Sequence, residues 1–82
     1  MNKYRVYFLE SQKDGSYYIG VTSNINKRLR QHNNGNSRST APKRPWVLRR
    51  VEIFYDINSA YKREKFLKSK KSRKIIKKII DS

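Results

Sequence analysis

Two short segments near the amino terminus have alternating side chains, and a turn signal separates them. Residues 4–10 are rich in aromatic and β-branched side chains, and residues 17–21 repeat this pattern after Asp14-Gly15. Alternation with a period of two is typical of strands, because successive side chains point to opposite faces of a sheet. The pattern therefore predicts an antiparallel hairpin, with a loop over residues 11–16 that is longer than a tight turn.

The side chains of this hairpin divide between two faces. In the first strand, Val6 and Phe8 share one face, while Tyr7 and Leu9 share the other. Tyr18 falls on the adjacent strand. Taken singly, tyrosines in strands are usually packing residues whose hydroxyl is hydrogen-bonded, so position alone gives Tyr7 and Tyr18 no special role.

A helix is predicted directly after the hairpin. Thr22 or Ser23 can cap its amino terminus, the helical pattern runs to about Asn33, and Gly35 lies just beyond its end. The polar, basic segment over residues 34–45 reads as a loop.

Pro42 and Pro45 are expected to preclude regular structure in that loop. Trp46 follows, and it is expected in the core or at the start of a strand rather than stacked on a base. Residues 47–55 alternate again and predict a third strand. Three of its side chains are expected to share one face: Val47, Val51 and Ile53.

Two more helices complete the pattern. Asp56 or Asn58 can cap a helix that runs to about Ser69, and a short, very basic helix follows over residues 72–80. A chain of 82 residues buries only about 60% of its unfolded surface, so residues 1–82 are expected to form one domain around one modest core. The order ββαβαα predicts an α+β fold, in which helices flank a three-stranded antiparallel sheet.

The charge balance restricts the partners of the chain. It has 21 Lys and Arg against 6 Asp and Glu, a net charge of +15. Such an excess destabilises a compact state by self-repulsion, so a polyanionic partner is the natural explanation, with nucleic acid first and an anionic membrane surface second. With no cysteine and one histidine, His32, any metal is expected to be Mg²⁺ or Mn²⁺ on carboxylate oxygen.

No apolar run approaches the ~20 residues that span a bilayer, and Arg5 and Glu10 interrupt the amino-terminal one. A cytoplasmic monomer without a small-molecule cofactor is the default expectation. The last helix carries a stripe of four isoleucines, which either packs on the sheet, the favoured interpretation, or lies on a membrane surface. These residues are Ile75, Ile76, Ile79 and Ile80.

Three polar residues lie on or beside the apolar stripes of the predicted helices. At 100° per residue, Arg28 and His32 stack along the edge of the apolar stripe of the first helix, and Glu64 lies on the core-facing stripe of the second. Arg28 could simply snorkel to solvent, with His32 as a boundary polar group. A carboxylate in such a position requires a cation or a metal, so Glu64 is either paired with Arg63, Lys68 or Arg28, or it is a metal ligand.

In combination, these residues resemble the GIY-YIG nuclease family over nearly the whole chain. Tyr18-Ile19-Gly20 matches the second half of the signature, and Arg5-Val6-Tyr7 matches the first half with Arg5 in place of the glycine. Arg28 follows Gly20 at the family interval, and residues 60–69 resemble the glutamate-bearing helix. The family often has an asparagine beyond that glutamate, whereas residues 69–76 contain none.

The resemblance implies a metal-dependent endonuclease that hydrolyses phosphodiester bonds, with DNA expected more than RNA and DNA repair among the possible roles. Glu64 would hold one Mg²⁺ or Mn²⁺, and Arg28 would offset charge on the phosphate oxygens. Tyr7, with Tyr18 beside it, would activate or position the attacking water, which requires Arg28 or the metal to lower a tyrosine pKa that is normally ~10. His32 would orient a tyrosine or contact the phosphate.

Gly20 would let the backbone approach its neighbours closely. The alternative is a non-catalytic, basic nucleic-acid-binding module on the same fold. In either case cationic side chains are expected to contact phosphates without reading sequence. The candidates are Arg5, Lys27, Arg38, Lys43, Arg44, Lys68, Lys71 and Arg73.

Overall fold

The computed structural model describes residues 3–82 and confirms the predicted ββαβαα order and the α+β fold class. One antiparallel sheet contains all three strands in the order β2-β1-β3, so β1 is central. The strands are β1 (Tyr4–Ser11), β2 (Tyr17–Thr22) and β3 (Trp46–Phe54), and the helices are α1 (Ile25–Asn33), α2 (Ile57–Lys70) and α3 (Arg73–Asp81).

The central strand is buried on both faces. Val6 and Phe8 pack against side chains of α2 and α3, whereas Tyr7 and Leu9 pack on the opposite face with Trp46 and side chains of α1. The predicted division of β1 between two faces is therefore confirmed. Burial of each such apolar side chain stabilises the fold by about 1.5–3 kcal/mol, and it fixes Tyr7 inside the layer between the sheet and α1.

A β-bulge changes the predicted face of Val47. The register between β1 and β3 shifts at Phe8/Leu9, so that Tyr7 pairs with Val51 but Leu9 pairs with Leu48. The extra residue reverses the alternation. Val51 and Ile53 share a face as predicted, but Val47 lies on the other one, and the prediction that all three share a face is wrong.

The cap of α1 is Asn24, not Thr22 or Ser23. Its side chain accepts a hydrogen bond from the Lys27 backbone N–H at 3.1 Å, and the Thr22 hydroxyl in turn accepts one from the Asn24 N–H. Thr22 is still part of β2, so it cannot also begin the helix. Asp56 caps α2, one of the two residues predicted for that position.

The prediction that Pro42 and Pro45 preclude regular structure between α1 and β3 is wrong. Ala41–Lys43 form a 3₁₀ turn, which tolerates Pro42 because the first N–H groups of a helix lack partners within it. The Asn33 side chain joins the segment's two ends: its carbonyl accepts from the Trp46 backbone N–H at 2.6 Å, and its amide donates to the Trp46 carbonyl at 3.1 Å. Trp46 is buried at the start of β3, as predicted.

The isoleucine stripe of α3 packs on the protein itself. Ile76 is buried in the core, Ile79 and Ile80 pack against it, and only Ile75 is largely exposed. Within residues 3–82, no helix has the length and apolar character needed to cross a membrane.

Candidate active site

A buried chain of hydrogen bonds connects the centre of the sheet to the segment after α1. The Tyr7 hydroxyl lies 3.0 Å from His32 Nε2, and His32 Nδ1 lies 2.8 Å from Thr40 Oγ1. The exposed fraction of His32 is 0%. The interpretation of His32 as a boundary polar group is therefore wrong, because the segment after α1 folds back and covers the imidazole with Thr40.

The neighbouring groups determine which atom donates in each hydrogen bond between Tyr7, His32 and Thr40. The Thr40 hydroxyl donates to the Ser37 carbonyl at 3.4 Å, so it accepts from His32 Nδ1–H, and His32 Nε2 then accepts from the Tyr7 hydroxyl. This assignment requires a neutral imidazole. Burial, together with the positive charge of Arg28, lowers the pKa of His32 below its ordinary 6.5 and favours that form.

Arg28 reaches the same hydroxyl from α1. Its Nε donates to the Tyr7 oxygen at 3.4 Å, and its Nη1 donates to Gln31 Oε1 at 3.0 Å. The hydrogen bond to Tyr7 raises the pKa of Arg28, so the guanidinium stays charged. Arg28 is half-buried rather than extended freely into solvent. The structure thus brings a fixed positive charge to the Tyr7 oxygen.

Tyr7 is nevertheless protonated at neutral pH. Burial raises the pKa of Tyr7 above its ordinary 10.0, and the hydrogen bond from Arg28 acts in the opposite direction without overcoming burial. Arg28 alone therefore does not provide the lowered pKa that a tyrosinate base needs. The Tyr7 hydroxyl is instead neutral and donates its hydrogen bond to His32.

Tyr18 of β2 completes an aromatic cluster around this hydroxyl. The centroid of its ring lies 6.2 Å from that of Tyr7, 4.9 Å from that of His32 and 6.2 Å from that of Trp46. The predicted proximity of Tyr7 and Tyr18 is confirmed.

Gly20 provides the space that Tyr7 occupies. The two residues are partners in the β1–β2 ladder. A Cβ built on Gly20 would overlap the Tyr7 hydroxyl and lie 2.6 Å from Tyr7 Cζ. A side chain at position 20 would therefore displace the ring that carries the hydroxyl.

Glu64 brings a negative charge to the same region from α2. Its side chain is 21% exposed and its Oε2 lies 3.0 Å from Lys68 Nζ, so of the three expected cations Lys68 is its partner. The Lys68 ammonium lies 5.8 Å from the centroid of the Tyr18 ring. The Glu64 charge also contributes, after burial, to the raised pKa of Tyr7. Arg63 instead forms a bidentate pair with Glu52, at 2.8 and 3.1 Å.

The side chains near Glu64 restrict which metal ion could bind there. Residues 3–82 contain no group of three or more His, Cys, Asp and Glu side chains that could hold a metal. Mg²⁺ does not need one, because it usually keeps several waters and is held by one or two carboxylates and substrate phosphates. A single carboxylate such as that of Glu64 is compatible with Mg²⁺ or Mn²⁺, whereas it does not supply the four ligands of structural zinc.

The candidate phosphate-binding residues fall into separate groups. Lys68, Lys71 and Arg73 line one pocket beside Tyr18. Arg44 lines another pocket together with Lys13 of the β1–β2 loop, and the neighbouring Lys43 pairs with Asp14 at 3.6 Å. The structure therefore brings only part of the predicted set close to Tyr18.

The other three candidates are scattered. Lys27 and Arg38 are exposed, on α1 and on the segment after it. Arg5 is half-buried and donates to the Ser23 carbonyl at 3.2 Å.

Two residues of the site were missed in the sequence. Gln31 was not among the predicted site residues, although its position three residues after Arg28 is a signal that the two side chains are neighbours. Thr40 gave no local signal. It reaches His32 only because the long segment after α1 folds back on the helix.

The ββαβαα order around a three-stranded antiparallel sheet is that of the GIY-YIG fold. The chain belongs to the GIY-YIG family, since the profile of the GIY-YIG catalytic domain matches residues 3–78. Within this family, the chain is similar to several UPF0213 proteins. It is 40% identical over 68 residues to one from Bacillus cereus, covering 82% of this chain and 70% of the relative.

A UPF0213 protein from Staphylococcus saprophyticus is 38% identical over 78 residues, which is 94% of each chain. The solution NMR structure of UPF0213 protein BH0048 from Bacillus halodurans superposes with a TM-score of 0.61 at 28% identity. That match covers 96% of this chain and 83% of the other.

Proposed function

We propose that this protein is a metal-dependent endonuclease that hydrolyses phosphodiester bonds of DNA. The observation that carries the proposal is the convergence on one buried hydroxyl. Arg28 and His32 both contact the Tyr7 oxygen, while Glu64 pairs with Lys68, whose ammonium lies over the neighbouring Tyr18 ring. These residues fall within the GIY-YIG match, and GIY-YIG proteins are generally endonucleases.

Tyr7 acts in this proposal as a neutral relay, not as a tyrosinate. The attacking water gives a proton to the Tyr7 oxygen while the Tyr7 proton moves to His32 Nε2, which is already its acceptor. The imidazolium that forms keeps its Nδ1–H on Thr40. The water oxygen bonds to phosphorus, the bond to the leaving oxygen breaks, and that oxygen takes a proton from solvent. Tyr7 therefore needs no lowered pKa.

Arg28 serves two purposes in this arrangement. Its hydrogen bond holds the Tyr7 oxygen in position. Its positive charge, fixed before substrate arrives, stabilises the negative charge that grows on the phosphate oxygens, and a planar guanidinium is suited to bind them.

Glu64 would hold one Mg²⁺ or Mn²⁺, and the bound ion would supply Lewis-acid polarisation of a phosphoryl oxygen. In the structure the Lys68 ammonium forms an ion pair with Glu64 Oε2. The lysine stem is flexible and its side chain is half exposed, so the ammonium can leave the carboxylate and turn to a phosphate.

Cleavage of labelled DNA tests the proposal. Purified protein is incubated with single-stranded DNA, duplex DNA and RNA, in Mg²⁺ or Mn²⁺ and in EDTA, beside Glu64→Gln. Glu10→Gln is the matched control, because Glu10 forms an ion pair with Arg49 on the sheet. We expect metal-dependent cutting of DNA by the wild type and Glu10→Gln, and binding without cutting by Glu64→Gln. Metal-dependent cutting that survives in Glu64→Gln removes the metal-ligand role.

A non-catalytic nucleic-acid-binding module is the second candidate. The net charge of +15 favours it as much as it favours a nuclease, and residues 69–76 lack the asparagine that the family often has there. Binding of DNA or RNA without cutting by the wild type, in either metal, would select this candidate.

A further inference from the structure

A pocket lies between the edge strand β2 and the junction of α2 with α3. Its volume is about 330 Å³, at the lower end of the range for ligand pockets. Its lining is apolar and aromatic: Tyr17 is half-buried, and the core side chains of Ile19, Leu67 and Ile76 border the pocket with 6%, 1% and 5% of their surface exposed. Among residues 3–82, strand β2 pairs only with β1, so its outer edge has no strand partner. Residues of β2 line the pocket.

Cations surround these apolar walls. Lys68, Lys71 and Arg73 all line the pocket. Lys71 ends α2 in the left-handed conformation, with φ 48° and ψ 27°, where glycine is more usual. The Arg73 guanidinium lies against Gly15, where a Cβ would be 2.8 Å from Nη2. An apolar wall with a cationic rim is complementary to a flat, apolar group that carries an anion beside it.

The pocket is continuous with the candidate active site. Tyr18 and Lys68 line it, and these two residues also contact the His32 and Glu64 side chains, respectively. The pocket and the candidate active site therefore share the Tyr18 and Lys68 side chains.

We propose that this pocket binds an unstacked nucleobase of the nucleic acid, with the phosphates of that nucleotide on Lys68, Lys71 and Arg73. This inference rests on the proposed function and adds a base-binding subsite to it. Every base has an apolar face that stacks on aromatic side chains, so the subsite would accept different bases while requiring that a base be present.

Binding in EDTA tests the subsite without any cleavage. The affinities of an oligothymidylate of about ten nucleotides and of an abasic chain of equal length are compared by fluorescence anisotropy. We expect the wild type to bind the abasic chain about 5- to 150-fold more weakly. Tyr17→Leu should lose most of this ratio. Tyr4→Leu is the matched control, because Tyr4 packs on the same core but does not line the pocket, and it should keep the ratio.

A second measurement needs no variant and so does not depend on whether Tyr17→Leu folds. Thymidine 5′-monophosphate should shift the methyl NMR signals of Ile19 and Ile76, and leave that of Ile53, which is exposed on β3. Abasic deoxyribose 5-phosphate should shift them far less.

A base-to-abasic ratio that persists in a folded Tyr17→Leu would overturn the proposal and assign base contacts to exposed aromatics such as Tyr55 or Phe66. Equal methyl shifts with both small molecules would likewise overturn it, leaving a simple polyanion site. Neither experiment involves metal or cutting. A protein that fails to cleave can therefore still have the subsite, and an active nuclease can lack it.

Discussion

Tyr7→Phe removes the hydroxyl of Tyr7 and keeps its aromatic ring. The change keeps the aromatic packing on Leu9 and Trp46 but removes the donor to His32 Nε2 and the acceptor for Arg28. His32 is 0% exposed, so its Nε2 is left buried without a partner. An unsatisfied buried polar atom costs about 1–3 kcal/mol.

That cost is readily measured for a chain of this length. A change of 1 kcal/mol shifts the unfolding midpoint of a small domain by about 4–8 °C. We therefore expect Tyr7→Phe to unfold at least about 4 °C below the wild type by circular dichroism. Tyr4→Phe is the control, because Tyr4 packs against Val6 and Phe8 on the face of the sheet opposite Tyr7, and its midpoint should be nearly unchanged.

The same variant should lose catalysis more than binding. Removal of a proton relay lowers the rate by about 10²–10⁴-fold, while phosphate contacts elsewhere maintain the affinity for DNA. An unchanged unfolding midpoint would refute the buried hydrogen-bond chain. A loss of stability with full cleavage activity would refute the proton relay but would still support the buried chain of hydrogen bonds.

Gly20→Ala should displace the Tyr7 ring and lower the cleavage rate at least tenfold with a smaller loss of DNA affinity; equal losses of both would contradict this. The folded-state pKa of His32 lies below its unfolded value of 6.5, so the unfolded chain binds more protons at pH values between the two. The free energy of unfolding should therefore fall as the pH drops from 6.5 toward the folded-state pKa. Thermal melts at several pH values should show this loss in the wild type and less of it in His32→Gln. Because the neutral imidazole accepts the proton, the cleavage rate should level off above pH 6.5, and a rate that instead climbs steadily toward pH 10 would favour a tyrosinate base. Lys68→Met should bind Mn²⁺ about twofold more tightly by calorimetry than Lys65→Met, which removes an equal charge without breaking the ion pair; equal affinities would contradict displacement of Lys68 by the metal.

The sequence determined those features of the protein that depend on local periodicity. The alternation along β1 assigned Tyr7 and Phe8 to opposite faces, and helical spacing placed Glu64 on the inner side of α2, because periods of 2 and 3.6 act over a few neighbouring residues. Asp56 was among the predicted caps for a similar reason, since a cap bonds to an N–H only three residues away.

The tertiary structure decided what depends on residues far apart in the chain. The bulge that turns Val47 outward arises from the pairing of β3 with β1 and has no signal within β3 itself. Arg63 binds Glu52 of the sheet, which lies outside α2, so the helix alone gives no signal for this partner. The burial of His32 required a long polar segment to fold back on α1, and only the packing of that whole segment could bring Thr40 to the imidazole.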